Sequence, residues 1–340
     1  MKHLLKLPLC ALAFAMTANT GFAQSSATGL KDAYKDYFSI GVAVNMQNIT
    51  NPEQIAIIKK DFNSITAEND MKPQPTEPAY GQFNWENADK IANFCRSNGI
   101  KLRGHCLMWH AQIGKWMYQD EKGNLVSKEK LFQNMKHHIT AIMERYKDVV
   151  YAWDVVNEAI SDGGRPVMGQ KPSPYRNSPL YQIAGDEFIK KAFIYAREAD
   201  PNVLLFYNDY NAADPQKRDR IYNMVKSMKE EGVPIDGIGM QGHYNIYGPS
   251  MEDVDAALTK YSTIVKHIHI TELDIRANEE MGGHLNFSRE AGDISQTVKL
   301  LQEDQYTRLF KILRKHKDVV DNVTCLLYTS PGPRDRTRSR

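Results

Sequence analysis

Residues 101–109, KLRGHCLMW, are followed after a polar loop by residues 128–147, KEKLFQNMKHHITAIMERYK, and then by residues 150–157, VYAWDVVN. The first and third stretches are short and apolar, as buried strands are. The middle one sets Leu131, Met135, Ile139, Ile142 and Met143 at helical spacing, an apolar stripe that must pack against something. Strand, helix, strand in this order makes a parallel βαβ unit. The rhythm continues in both directions. It predicts further strands over 40–45, 64–69, 203–208, 237–243 and 267–274, and helices over 52–60, 86–97, 186–199, 216–231, 251–261 and 296–317. An eighth strand is expected over 319–323. Eight units of this kind close into a TIM (β/α)8 barrel rather than an open sheet, giving an α/β fold in one domain. Local signals agree: Asn51-Pro52 offers a cap followed by proline at the first helical position, and Gly99 and Gly232 stand where helices should end.

The two ends of the chain read differently from its body. Lys2 and Lys6 flank the start of an apolar run that reaches Met16, and Gly21-Phe22-Ala23 offers a small-residue cleavage site. That anatomy predicts a signal peptide over 1–23 and a secreted or periplasmic protein, with no membrane attachment after cleavage. Past it, Cys95, Cys106 and Cys325 are too few for a disulfide scaffold, and Cys95 and Cys106 are expected as buried thiols. The formal charge of +2 comes from the two ends, and the body between them is net negative. A nucleic-acid partner would need a basic face there, so none is expected.

In a barrel of this kind, function gathers at the C-terminal ends of the strands. Those ends are unusually polar. The second runs into Thr66-Ala67-Glu68-Asn69-Asp70-Met71-Lys72, the third into His105-Cys106-Leu107-Met108-Trp109-His110, and the fourth into Asp154-Val155-Val156-Asn157-Glu158. The fifth finishes at Asn208-Asp209-Tyr210, the sixth at Gln241-Gly242-His243, and the seventh at Thr271-Glu272-Leu273-Asp274. Alternation along a strand puts Glu272 with Asp274, Gln241 with His243, and His105 with Trp109. His243 is thereby expected to bond Glu272 while Asp274 holds it. Carboxylates on opposite walls of a sugar-sized cleft suit glycoside hydrolysis, where one acid donates a proton and the other attacks or activates water.

The stretches IGVAVN (40–45), TAENDMK (66–72), GHCLMWH (104–110), WDVVNEA (153–159) and ITELD (270–274) together resemble glycoside hydrolase family 10, in the family's order. The resemblance implies a retaining endo-β-1,4-xylanase acting on xylan and xylo-oligosaccharides, with no metal or other cofactor, as a monomer. It makes Glu158 the acid/base and Glu272 the nucleophile. His243, Asp274 and Asn157 would support them, Asn157 by bonding the 2-OH of the sugar being cleaved. His105, Trp109 and Gln241 would line that subsite, Glu68, Asn69 and Lys72 the next one, and Tyr210 the leaving-group side. A β-1,4-glucanase of mixed specificity could use the same two glutamates.

The pattern then breaks. Val323-Thr324 continue the family's eighth strand, but residues 325–340 depart from it and finish with Arg334, Arg336, Arg338 and Arg340 among small polar residues. This divides the chain into a catalytic domain over 24–324 and a foreign tail over 325–340. It predicts a truncated or replaced eighth strand and final helix and a barrel that closes poorly, and it sets a catalytically impaired xylan-binding fragment as the alternative to an active xylanase.

Overall fold

The structure is a computed structural model that describes residues 29–163, 173–277 and 295–326. The expected leader, residues 327–340 and any helix after the eighth strand lie outside the described residues. In chain order the elements are α1 (Leu30–Ala33), β1 (Ser39–Val44), α2 (Pro52–Asp61), β2 (Ser64–Ala67), α3 (Pro73–Thr76), α4 (Glu86–Asn98) and β3 (Lys101–Trp109). There follow α5 (Lys128–Tyr146), β4 (Val150–Asn157), α6 (Pro179–Ala184), α7 (Glu187–Ala199), β5 (Leu204–Asp209), α8 (Pro215–Glu230) and β6 (Gly237–Met240). The last are β7 (His243–Asn245), α9 (Met251–Tyr261), β8 (His267–Arg276), α10 (Gln296–Lys315) and β9 (Val320–Leu326).

The helix starts follow from their caps. Asn51 accepts hydrogen bonds from the backbone N–H of Glu53 and Gln54, with Pro52 in the first turn. Ser127, Ser250, Ser295 and Asp214 do the same for α5, α9, α10 and α8. Gly99 ends α4 at φ +63°, a left-handed conformation that favours a residue without a Cβ. The stripe on α5 is buried as expected, Leu131, Met135, Ile139 and Ile142 all being inaccessible.

The strands pair in parallel in the order β6-β5-β4-β3-β2-β1-β9-β8, and β6 also pairs with β8, so the ring closes with eight members. Its closure corrects the expectation of a failed eighth strand. β9 pairs with β1 from Ser39↔Asn322 to Ala43↔Leu326, and with β8 from Ile268↔Val320 to Leu273↔Cys325. Val320 is fully buried there, and so is the run from Asn322 to Thr324, with Cys325 5% exposed. A second difference lies at the sixth strand. It breaks after Met240, because Gly242 takes φ +80°, and resumes as β7 against the upper part of β8. Cys95 and Cys106 are buried free thiols.

Close packing between strand and strand leaves no room at some glycines. A Cβ on Gly104 would stand 2.1 Å from Cε3 of Trp153 on the neighbouring strand, whereas one on Gly99 would meet nothing within 4 Å. Gly104→Ala is therefore expected to destabilise the fold by about 3 kcal/mol, as overpacking does. Gly99→Ala should cost only about 1 kcal/mol, from its backbone angle alone. Denaturant melts of the two variants, compared with the parent, check the order; equal losses would mean the Trp153 ring yields freely.

Candidate active site

The site is built on a charged layer inside the barrel. Arg103 on β3 donates from both terminal nitrogens to Asp154 on β4, at 2.5 and 2.6 Å, and both side chains are 0% exposed. Its Nε donates to Nδ1 of His269 at 3.0 Å, and His269 Nε2 lies 2.8 Å from Asp321 on β9. Towards the mouth, His105 Nδ1 is 2.8 Å from Asp154 Oδ2. Burial works to raise the Asp154 carboxyl, but Arg103 and His105 outweigh it and hold it below the usual range.

Glu272 projects from β8. His243 Nε2 is 3.2 Å from its Oε2, and His243 Nδ1 is 2.9 Å from Asp274 Oδ1. Asp274 in turn accepts from Arg276 Nε at 2.9 Å. Burial favours the neutral form of Glu272, yet the His243 hydrogen bond and the charges of His105, His243 and Lys72 bring its pKa down to about 2. For His243 burial again opposes charge, and the bonds to Asp274 and Glu272 raise its pKa to about 10. A carboxylate and an imidazolium therefore persist together across the neutral range. The expected contact of His243 with both acids is present, but the strict strand alternation invoked for it is not, since Gly242 turns the backbone between Gln241 and His243.

Glu158 follows the last residue of β4 and takes φ +57°. Its Oε2 accepts from Trp109 Nε1 at 2.9 Å and its Oε1 from Gln241 Nε2 at 2.9 Å. Amides fill the space between the two glutamates. Asn208 Nδ2 donates to Glu272 Oε1 at 3.1 Å and to Asn157 Oδ1 at 3.0 Å, while Gln241 Nε2 lies 3.2 Å from Asn157 Oδ1. Turning the Asn157 amide over brings its oxygen within 3.2 Å of Trp109 Nε1 instead.

Two groups flank this centre. On one side Lys72 Nζ donates to Asn69 Oδ1 at 2.9 Å and stands 5.0 Å from the Trp109 ring centroid, and Asn45 Nδ2 donates to Glu68 Oε2 at 3.3 Å. On the other, Tyr210 donates to Asp162 and accepts from Arg176 Nη2 at 2.8 Å. Lys217, almost fully buried on α8, lies 2.7 Å from Asp162, 2.9 Å from Asp209 and 3.4 Å from the Tyr210 ring centroid. Burial lifts Asp209 to about 6, against the pull of Lys217. Every residue anticipated from sequence thus lies at this one mouth.

A family model for glycosyl hydrolase family 10 matches residues 29–328. The chain belongs to glycosyl hydrolase family 10. It is 58% identical over 334 residues to an endo-1,4-beta-xylanase/feruloyl esterase of Xylanibacter ruminicola, covering 95% of this chain and 46% of that protein. The chain thus spans about half the length of this curated relative. Among solved structures, a psychrophilic family 10 endo-beta-1,4-xylanase superimposes with a TM-score of 0.83 at 67% identity, covering 88% of this chain and 90% of the other. The xylanase of Paenibacillus barcinonensis, complexed with a conduramine derivative, gives a TM-score of 0.82 at 36% identity over 93% and 92%.

The sequence reading gives no role to Arg103, Asp154, Asn208, Arg176, Asp162 or Lys217. Arg103 has a usable signal, since it precedes His105 by two positions on the same strand and so shares its face. Lys217 has none, because it lies in the first turn of α8 and not on a strand end.

The folded chain keeps on His243 a proton that the unfolded chain releases above about pH 6.5. The stability this residue contributes is therefore full below that pH and is lost as pH rises towards about 10. The advantage of the parent over His243→Gln in thermal melts should shrink across that window. An advantage that stays constant through it would show a neutral imidazole.

Proposed function

We propose that the chain is a secreted, retaining endo-β-1,4-xylanase in which Glu272 is the nucleophile and Glu158 the acid/base. The observation that carries this reading is the unequal bonding of the two glutamates. Glu272 is tied to a cationic His243, while Glu158 is held by neutral donors, the Trp109 indole and the Gln241 amide. The first environment favours a permanent carboxylate. The second accommodates a group that must gain and lose a proton in each cycle.

In the first step the Glu272 carboxylate attacks the anomeric carbon, the glycosidic C–O bond breaks, and the Glu158 proton passes to the departing oxygen. In the second, Glu158 removes a proton from water, which attacks the same carbon and releases Glu272. Two inversions give retention. Asn157, flanked by Asn208 and Gln241, suits a hydroxyl on the sugar that becomes bonded to Glu272. Lys72, Asn69 and Glu68 offer directional polar contacts for the ring hydroxyls of the next sugar, and Trp109 a flat face. A unit without a hydroxymethyl group fits a site that reads ring hydroxyls so closely, and buried donors penalise a ligand that leaves them unpaired. Tyr210 lies beyond Glu158, on the side of the leaving group. His105, Asp274 and Arg276 act by orienting the groups that touch substrate. Export by the predicted leader fits a polymeric substrate found outside the cell.

Glu272→Ala and Glu158→Ala should each lower hydrolysis of xylan by about 10⁴-fold or more. Reducing-sugar release from xylan measures this, and full activity in both variants would overturn the assignment. Proton NMR of the first-formed product should show the β-anomer; an initial α-anomer means inversion. The parent should also prefer xylan to carboxymethylcellulose, and the reverse order would favour a glucanase.

A further inference from the structure

Glu158 is one of three described residues other than glycine with positive φ, at +57°. A residue with a Cβ disfavours that conformation, so it persists only where neighbouring groups enforce it. The constraint is visible on both sides of the residue. Its N–H donates to the carbonyl of Asn208 at 2.9 Å, across from β5. Its carbonyl accepts from Nε of Arg176 at 2.9 Å. The first is a strand-to-strand bond available to any residue at this position. The second depends on one particular side chain.

Arg176 is itself well anchored. Its backbone N–H donates to the carbonyl of Ala159 at 2.8 Å, and Ser161 N–H donates to the carbonyl of Pro174 at 2.8 Å, so the segment bearing it is strapped to the one that follows Glu158. The other arm of its guanidinium, Nη2, donates to the Tyr210 hydroxyl at 2.8 Å, with its Cζ 5.9 Å from the centroid of that ring. Asp162 accepts from Tyr210 and is held at 2.7 Å by the buried Lys217. One planar, permanently charged group therefore grips the main chain of Glu158 with one nitrogen and the leaving-group wall with another. The carboxyl end of Glu158 is held separately by Trp109 and Gln241. Those bonds fix where the carboxyl rests, and Arg176 fixes the pivot from which it extends.

We propose that Arg176 is a positioning residue for proton transfer: it holds the left-handed Glu158 backbone in place relative to the leaving-group subsite. The proposal rests on Glu158 being the acid/base. A lysine cannot replace it, because a single ammonium does not present two donors in a fixed plane to the Glu158 carbonyl and the Tyr210 oxygen together.

The test compares kcat/KM on two xylobiosides, one with a dinitrophenyl leaving group that departs without a proton, and one with a phenyl group that needs it. Arg176→Ala and Arg176→Lys should lose about 100-fold on the phenyl substrate and no more than about twofold on the dinitrophenyl one. Both rates come from the same preparation, so their ratio does not depend on the fraction that folds. Equal losses on the two substrates would overturn the proposal and leave Arg176 a substrate-binding or folding residue. Glu158→Ala alone separates this from the underlying reading. If it spares the phenyl substrate, the role given to Glu158 fails, whatever Arg176 does. If it shows the selective loss, adding Arg176→Ala should change neither rate by more than about twofold. A further selective loss in the double variant would show that Arg176 acts on the leaving group by itself.

Discussion

Arg103 and Asp154 face each other inside the barrel with no access to water, and the candidate active site stands on what that pair requires. Removing two charges from solvent costs several kcal/mol for each ion, which is offset only when the geometry is good and the remaining donors and acceptors are used. Here Asp154 takes both terminal nitrogens of Arg103, and the third nitrogen finds His269. One of the two carboxylate oxygens, Asp154 Oδ2, also receives His105. The pair thereby fixes an imidazole whose charge favours the ionised form of Glu272. Loss of either partner would leave an uncompensated charge in the barrel and release the ring above it. A hydrophobic plug of the kind that fills most barrels would pack as well, but it could not orient a polar layer.

Above that layer the chemistry changes from charged to neutral and back again. Glu272, His243, Asp274 and Arg276 form a chain of contacts that alternates in sign. Between Glu272 and Glu158 stand Asn208, Asn157 and Gln241, which carry no charge. An amide offers both donors and an acceptor, so it bonds a carboxylate and a carboxylic acid alike. In the proposed cycle only Glu158 changes its protonation, and its neighbours are of the type that tolerates the change.

How much of this the sequence disclosed depended on the kind of signal. Helix boundaries were legible because Asn51-Pro52 and Gly99 act through local backbone chemistry. The members of the site were legible because barrel topology collects strand ends. Two things escaped. The break between β6 and β7 is a single backbone angle at Gly242, and hydrophobic alternation carries no information about it. The eighth strand looked lost because its sequence stops following a familiar pattern at Cys325, yet pairing is made by backbone groups, and Cys325 and Leu326 supply them as well as any residue. Arg176 and Lys217 escaped for a different reason. They reach the site from a loop and a helix, and only the folded distances bring them beside Glu158 and Tyr210.

The seam between β1 and β9 joins the first strand of the ring to the last. Chain synthesis runs in one direction, so β1 leaves the ribosome long before its neighbour on that side exists. Until residues 320–326 emerge, a growing chain has two open sheet edges, of the kind that pair with other chains when left uncovered. Closure of the ring thus waits for the last strand to be made, and it joins segments at opposite ends of the domain. Two of the strands bearing the site, β3 and β4, can form early, but β8 pairs on one side with β9. Glu272 therefore gains its permanent surroundings only when the last strand arrives.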